Sequence, residues 1–158
     1  MQVKIGKYPK KAHKERKIKI RIDPWDTWNM DHTLALIILP MLKQLKETKH
    51  GASGDMPAFS QTSDYVQPSF PFYKEGDEAA WNAGHEQWNE IMDKMIWSFE
   101  QLLDDDYESR FWIKQPRYSR ELGCITGGVY NEKAALLYEE RLREGFELFG
   151  KYYRGLWD

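Results

Sequence analysis

The chain has 158 residues, of which 41% are hydrophobic, 15% aromatic and 30% charged. This length and apolar content suit a single domain with one hydrophobic core, and they exclude a chain that is disordered throughout. The net charge of −2 is divided unevenly: residues 1–21 carry nine Lys or Arg and one acid, a net +8, which leaves −10 on residues 22–158. The basic segment therefore either meets an acidic partner or lies against the protein's own acidic helices.

Composition also bears on the compartment. The longest nearly apolar run, residues 34–42, contains Pro40 and is much shorter than the roughly 20 residues that cross a bilayer. The N-terminus lacks the apolar stretch and cleavage site of a signal peptide. Cys124 is the only cysteine, so no intrachain disulfide can form, and with no base evident beside it we expect a buried, inert thiol. We predict a protein without a membrane span in a reducing compartment.

The chain begins with a predicted strand. Residues 17–22 alternate Lys or Arg with Ile, which is typical of a strand with one buried face and places Ile18, Ile20 and Ile22 inside. Val3 and Ile5 repeat the pattern weakly, so a two-stranded start is expected. The basic residues of this region are the candidate contacts to nucleic acid: Lys7, Lys10, Lys11, Lys14 and Arg16.

A helix is predicted over residues 29–50, and Pro40 is expected to kink it. At 100° per residue one broad apolar face forms the predicted core side: Met30, Leu34, Ile37, Ile38, Met41 and Leu45. A second stripe indicates a second covered side and makes a homo-oligomer reasonable: Trp28, His32, Leu36, Leu39, Lys43, Lys46 and His50.

The rest of the chain completes a mainly helical α+β domain over residues 1–158, with three principal helices packed with a small antiparallel sheet. Residues 51–75 are predicted to be an ordered covering loop, residues 77–103 and 131–154 helices, and residues 107–130 short strands and turns that join the sheet. The apolar seam of the second helix repeats with spacings of four and three: Trp81, His85, Trp88, Met92, Met95, Phe99 and Leu102. We expect the tail with Leu156 and Trp157 to dock on the core.

The densest polar cluster lies around the first helix and provides the candidate ligand-binding residues: Trp25, Asp26, Trp28, Asp31, His32, Lys43 and His50. Carboxylate and imidazole groups could bind a ligand or exchange protons there. His32 and His50 are 18 residues apart on one helix, roughly 27 Å, so they cannot share one ligand. The alternative is structural: Asp26 or Asn29 caps the helix, Asp31 favours its dipole and His32 forms a hydrogen bond.

A metal site is the alternative chemical interpretation. Glu86, Glu90 and Asp93 resemble half of the carboxylate pattern of all-α nucleotide pyrophosphohydrolases, where acids on neighbouring helices hold Mg²⁺. The matching Glu-x-x-Glu pair is missing from the sequence, and a solvated helix surface explains the same residues. No catalytic residue and no cofactor are assigned.

Three segments carry a resemblance to a known family. Residues 20–51, beginning Ile-Arg-Ile-Asp-Pro-Trp-Asp-Thr-Trp, resemble a block found in a family of tailed-bacteriophage proteins without assigned catalytic residues. Met-Ile-Trp-Ser-Phe-Glu-Gln at 95–101 and Phe-Gly-Lys-Tyr-Tyr-Arg-Gly-Leu-Trp at 149–157 are similar to further family segments, so about half of the chain is covered. The chain departs from the family after Gly51, where relatives carry an acidic run and this sequence has Asp55.

The resemblance implies expression in an infected bacterial cell, and the host cytoplasm agrees with the absent signal peptide. We expect an accessory protein that acts by binding a host protein or a small nucleotide-like ligand, in host takeover or counter-defence, and that is not an enzyme. The alternatives are a metal-dependent nucleotide hydrolase and a nucleic-acid-binding factor.

Overall fold

The computed structural model describes residues 1–7, 9–10, 14–52 and 77–157. It contains three long helices: α1 (Met30–Thr48), α2 (Asp77–Leu102) and α3 (Glu132–Tyr152). Six short strands accompany them: β1 (Gln2–Ile5), β2 (Ile18–Arg21), β3 (Trp112–Lys114), β4 (Arg117–Ser119), β5 (Cys124–Thr126) and β6 (Val129–Tyr130). The predicted class, mainly helical α+β with three principal helices, is confirmed. The covering loop predicted at 51–75 lies almost wholly outside the described residues.

The strands form three separate antiparallel ribbons, where the sequence predicted one small sheet. β1 pairs with β2, β3 with β6, and β4 with β5. The two strands of each ribbon are close to each other in the sequence, so each ribbon forms within one short segment of the chain. Among the described residues, the later strands therefore do not extend the β1–β2 hairpin.

The β1–β2 hairpin is regular but most of its apolar face is exposed. Ile18 pairs with Ile5 and Ile20 with Val3, and directly paired side chains lie on one face of the ribbon. The prediction that Ile18, Ile20 and Ile22 face a core is wrong, because their exposed fractions are 62%, 56% and 53%. The alternation of Lys or Arg with Ile correctly predicted a strand with one apolar and one charged face, but the apolar face does not pack on the helical core.

Helix α1 buries a side that overlaps only in part with the one predicted. Ala35 and Leu42 are its buried residues, and Ile38, Leu39 and Leu45 pack partly against the same core. Met30, Leu34 and Met41, placed in the core by the sequence pattern, are exposed. The buried side lies between the two predicted stripes, because the small Ala35 allows close approach of the neighbouring helix. The helix continues through Pro40 as one element.

Helix α2 is the centre of the core. Its predicted seam supplies Trp88, Met92, Met95 and Phe99, all buried. Phe99 contacts Phe146 edge to face, with ring centroids 5.2 Å apart, and Trp88 meets Tyr152 at 5.5 Å. Such contacts add directional preference to the burial of apolar area.

A close helix crossing fixes α2 against α3. Gly145 and Ser98 are both buried. A Cβ atom placed on Gly145 would lie 2.0 Å from Ser98 Oγ and 2.5 Å from the Lys94 carbonyl oxygen. The absence of a side chain at 145 therefore sets the separation of the two helices.

The tail and the later ribbons differ in part from expectation. Leu156 packs against the core, but Trp157 is 73% exposed, so only one of the two tail residues docks. Cys124, expected to be buried, is exposed on β5 because the β4–β5 ribbon projects, with Tyr118 and Ile125 exposed as well. No helix in the described part of the chain combines the length and apolarity that a membrane crossing requires.

Candidate functional site

The polar block between β2 and α1 folds into a capped 3-10 turn over Pro24–Thr27. The Asp23 carboxylate accepts from the Trp25 N–H at 3.1 Å, and the Asp26 carboxylate accepts from the Asp23 N–H at 2.7 Å. This reciprocal arrangement satisfies donors that would otherwise lack partners at the start of the turn. The N-terminal amine of Met1 also donates to Asp26 Oδ1 at 2.9 Å. Asp26 therefore anchors the start of β1 to the turn.

These bonds hold Asp26 in its charged form. The hydrogen bond from the N-terminal amine and that from the Asp23 N–H lower the pKa of Asp26, while burial acts weakly in the opposite direction. A carboxylate that accepts two such bonds is committed to local structure. Asp26 therefore has a structural role, but it is not the expected cap of α1: it completes the capping box of the 3-10 turn, whose N-cap is Asp23. Asn29 lies at the N-cap of α1 without a side-chain capping bond.

The same turn displays two indole rings. Trp25 is 76% and Trp28 80% exposed, and their ring centroids lie 6.0 Å apart at 45°. The Trp28 N–H donates to the Trp25 carbonyl at 3.1 Å, so a backbone hydrogen bond joins the two residues that carry the rings. The sequence identified both residues as candidates.

The remaining candidates do not converge with the Trp pair. Asp31 is exposed in the first turn of α1 and His32 is half-buried beside it. At the far end of α1, Lys43 pairs with Glu100 of α2 at 2.6 Å, and His50 lies two residues beyond the helix. The structure therefore separates the Trp25–His32 group from Lys43 and His50, as the length of the helix requires.

Polar contacts join the far half of α1 to α2. Lys46 pairs with Asp93, and Lys49 Nζ donates to Asn89 Oδ1 at 2.5 Å. Together with the Lys43–Glu100 pair they form a ladder along the two helices. These cations serve helix packing.

The alternative metal residues are not assembled. Asp93 is paired with Lys46, while Glu86 and Glu90 are exposed on α2. Within residues 1–7, 9–10, 14–52 and 77–157, no three His, Cys, Asp or Glu side chains are grouped closely enough to hold an ion.

His85 is a half-buried residue outside the predicted site. Its ring lies 4.4 Å from the Trp81 ring, and its Nδ1 atom is buried without a hydrogen-bond partner. Burial lowers the pKa of His85, and the nearby Lys49 charge lowers it further. The ring packs beside Trp81 as part of the α2 seam.

Most of the candidate nucleic-acid contacts lie on or beside the hairpin. Lys7, Lys10 and Lys14 are exposed, whereas Arg16 is half-buried and its Nε donates to the Gly6 carbonyl at 2.5 Å. Lys11 lies outside the described residues. Four of these cations therefore belong to the connection between β1 and β2, and one of them, Arg16, donates a hydrogen bond to the residue that follows β1.

A concave site also exists that the sequence did not indicate. A groove of about 590 Å³ lies between α1 and the C-terminal end of α3. Its lining is mostly apolar and carries no charged residue: Ile38, Met41, Leu42, Gln44, Leu45, Thr48, Phe149, Tyr153 and Leu156. It brings together helices distant in sequence, so local periodicity could not have revealed it.

Among the described residues before α1, the large apolar side chains that are more than half exposed belong to the hairpin and to the segment that contains the 3-10 turn. Ile18, Ile20, Ile22, Trp25 and Trp28 follow one another along the chain and are all more than half exposed. We call these five residues the N-terminal docking surface. The chain matches no protein-family model, no curated protein and no solved structure, so the interpretation of this surface comes from its own residues.

Proposed function

We propose that the protein acts without catalysis, by binding another protein through the N-terminal docking surface. The observation that supports this is the exposure of five large apolar side chains on a hairpin and a capped turn. Exposed apolar side chains that lie together mark interaction sites on proteins, and within this set the Trp25 and Trp28 rings lie 6.0 Å apart. Tryptophan in particular contributes about 2 kcal/mol or more when it anchors an interface.

The shape of the surface favours a macromolecular partner over a small ligand. Small-molecule sites are concave and bury most of their ligand, whereas Trp25 and Trp28 project from the chain at 76% and 80% exposure. The apolar groove between α1 and α3 has no cation in its lining, and nucleotide phosphates are normally held by cations or by backbone N–H groups. A nucleotide-like ligand is therefore the weaker proposal.

The side-chain chemistry favours protein over nucleic acid. Single-stranded nucleic acid stacks on aromatic rings and follows cations, a description that fits Trp25, Trp28 and the surrounding lysines. Ile18, Ile20 and Ile22 have no role in such binding, but aliphatic side chains are ordinary components of protein interfaces. The resemblance to tailed-phage proteins makes a bacterial host protein, met in the host cytoplasm, the expected partner.

Capture from a bacterial lysate tests this function. The wild-type protein is compared with the double variant Trp25→Ser/Trp28→Ser and with Trp157→Ser, which removes an indole of similar exposure from the far end of the chain. We expect one host protein to be retained by the wild type and by the Trp157 variant and to be lost with the double variant. Equal capture by all three proteins, or no captured protein, contradicts the proposal.

A further inference from the structure

The hydrogen-bonding pattern of the hairpin determines which backbone N–H and carbonyl groups point outward from β2. The Gly6 N–H donates to the Lys17 carbonyl at 2.9 Å, so these two residues form a hydrogen-bonded pair. Hydrogen-bonded and non-bonded pairs alternate along an antiparallel ladder. Lys19 therefore directs its backbone groups at β1, while Ile18 and Ile20 direct their N–H and carbonyl groups outward.

The outer edge of β2 is open within the described chain. The sheet there has two strands, β1 and β2, and Ile18 and Ile20 are 62% and 56% exposed. On the opposite edge Val3 is half-buried and Ile5 is 47% exposed, so the residues whose backbone groups point outward are more exposed on β2 than on β1. An open edge of this kind is a template for an added strand.

The two faces of the hairpin differ in chemistry. One face carries Ile18 and Ile20 with their β1 partners, and the other carries Lys4, Lys19 and Arg21. A strand added beside β2 continues both faces, because its side chains also alternate. Apolar side chains of that strand would lie beside the isoleucines, and acidic ones beside the cations.

We infer that the partner presents an extended segment in which acidic and apolar residues alternate, and that this segment adds to the outer edge of β2 as a third strand. The inference rests on the proposed function and specifies its partner chemistry. A second copy of this chain fits poorly, because pairing β2 with β2 would place Lys19 and Arg21 of both copies on one sheet. Nucleic acid would satisfy the cations but would leave the isoleucines and the backbone edge unused.

Binding of short synthetic peptides to the full chain tests the partner chemistry. Three labelled eight-residue peptides are compared by fluorescence anisotropy: alternating Val and Glu, the same composition in two blocks, and alternating Val and Lys. We expect the alternating acidic peptide to bind at least tenfold more tightly than the block peptide, and the lysine peptide not to bind. Equal binding of the two acidic peptides overturns strand addition, because charge alone would then explain it.

Two proline variants test the edge. Ile20→Pro removes an outward N–H from β2, while Ile5→Pro removes the equivalent outward N–H from β1; neither N–H belongs to the hairpin's own ladder. We expect Ile20→Pro to weaken binding of the alternating acidic peptide at least tenfold and Ile5→Pro to leave it within twofold. Equal effects, or loss with Ile5→Pro alone, overturn the assignment to β2.

A proline variant that lacks β1–β2 cross-strand NOEs has lost the hairpin and cannot test the edge. In that case, amide hydrogen exchange of the wild type is the independent measurement. Added peptide should protect the Ile18 and Ile20 amides, and unchanged exchange at both overturns the proposal. If the protein forms a dimer that requires Ile20, the proposal is overturned in favour of a second copy of the chain. If oligothymidylate competes with the peptide for binding, the proposal is overturned in favour of nucleic acid. If the peptides fail while capture of a host protein still depends on Trp25 and Trp28, strand addition falls and the proposed function stands.

Discussion

Replacing Gly145 with alanine tests the account of the helix crossing. The new Cβ would lie 2.0 Å from Ser98 Oγ and 2.5 Å from the Lys94 carbonyl oxygen. Rotation of the hydroxyl can relieve the first contact, but the second atom belongs to the backbone of α2. Reaching an ordinary separation of roughly 3.4 Å requires the helices to move apart by about 0.9 Å, and a gap of that size forfeits a substantial part of the dispersion energy across the contact.

The magnitude follows from two opposing effects. Overpacking a well-packed core costs about 1–3 kcal/mol, while replacing glycine by alanine within a helix contributes about 1 kcal/mol of stability. Because a backbone atom blocks relief, we expect Gly145→Ala to lower the free energy of unfolding by about 2 kcal/mol. For a chain of this length that corresponds to a fall in Tm of roughly 4–8 °C.

Urea unfolding followed by circular dichroism measures the effect, and the same helix supplies the control. Gly150 also lies in α3, but a Cβ there would meet nothing within 4 Å, so Gly150→Ala should raise Tm by about 2–4 °C. Ser98→Ala removes a buried hydroxyl without a hydrogen-bond partner and should be neutral or stabilising by about 1 kcal/mol. If Gly145→Ala is as stable as the wild type, the close crossing is not a constraint and the reasoning fails.

Three further predictions concern ionisable groups. Burial lowers the pKa of His85 below 6.5 in the folded protein, so the stability that His85 contributes is present above pH 6.5 and is lost as the pH falls through the folded pKa. His85→Phe should therefore reduce the loss of stability between pH 7.5 and 5.5 in urea titrations. An unchanged loss would count against this role of His85. Asp26 has a lowered pKa, so Asp26→Asn, which keeps one acceptor oxygen for two donors, should destabilise the protein at neutral pH. The free energies of unfolding of the variant and the wild type should become equal well below pH 3.8. A difference in stability that persists in acid would contradict this. Lys43→Ala should lower the free energy of unfolding by at most about 1 kcal/mol, because the pair with Glu100 is nearly half exposed; a larger loss would show that Lys43 has a role beyond that pair.

The helices were the most predictable part of the fold, because their signal is carried within one segment. The seam of α2 repeats over many turns and needs no knowledge of its neighbours, and the buried Trp88, Met92 and Met95 follow it. On α1, large apolar residues suggested two covered sides, whereas the buried side is centred near Ala35. A small residue contributes little to an apolar pattern but determines where helices can approach closely.

The hairpin and the site show what a single sequence leaves open. Alternation at 17–22 predicted a strand, and the strand is present, but alternation does not say whether the apolar face is covered by the same chain. Trp25 and Trp28 were identified as candidates from the sequence. Their outward display depends on how Asp23 and Asp26 cap the turn, a geometry that the order of residues alone does not specify.

The separation of the hairpin from the helical core has a kinetic consequence. A two-stranded hairpin with a largely exposed apolar face is marginally stable in water, so β1 and β2 should open locally far more often than α2 unfolds, and their amides should exchange hydrogen much faster. A partner that orders such an element loses about 2–5 kcal/mol of the gross interaction energy to that ordering. Complexes formed through the hairpin would therefore dissociate more readily than the extent of their contact suggests.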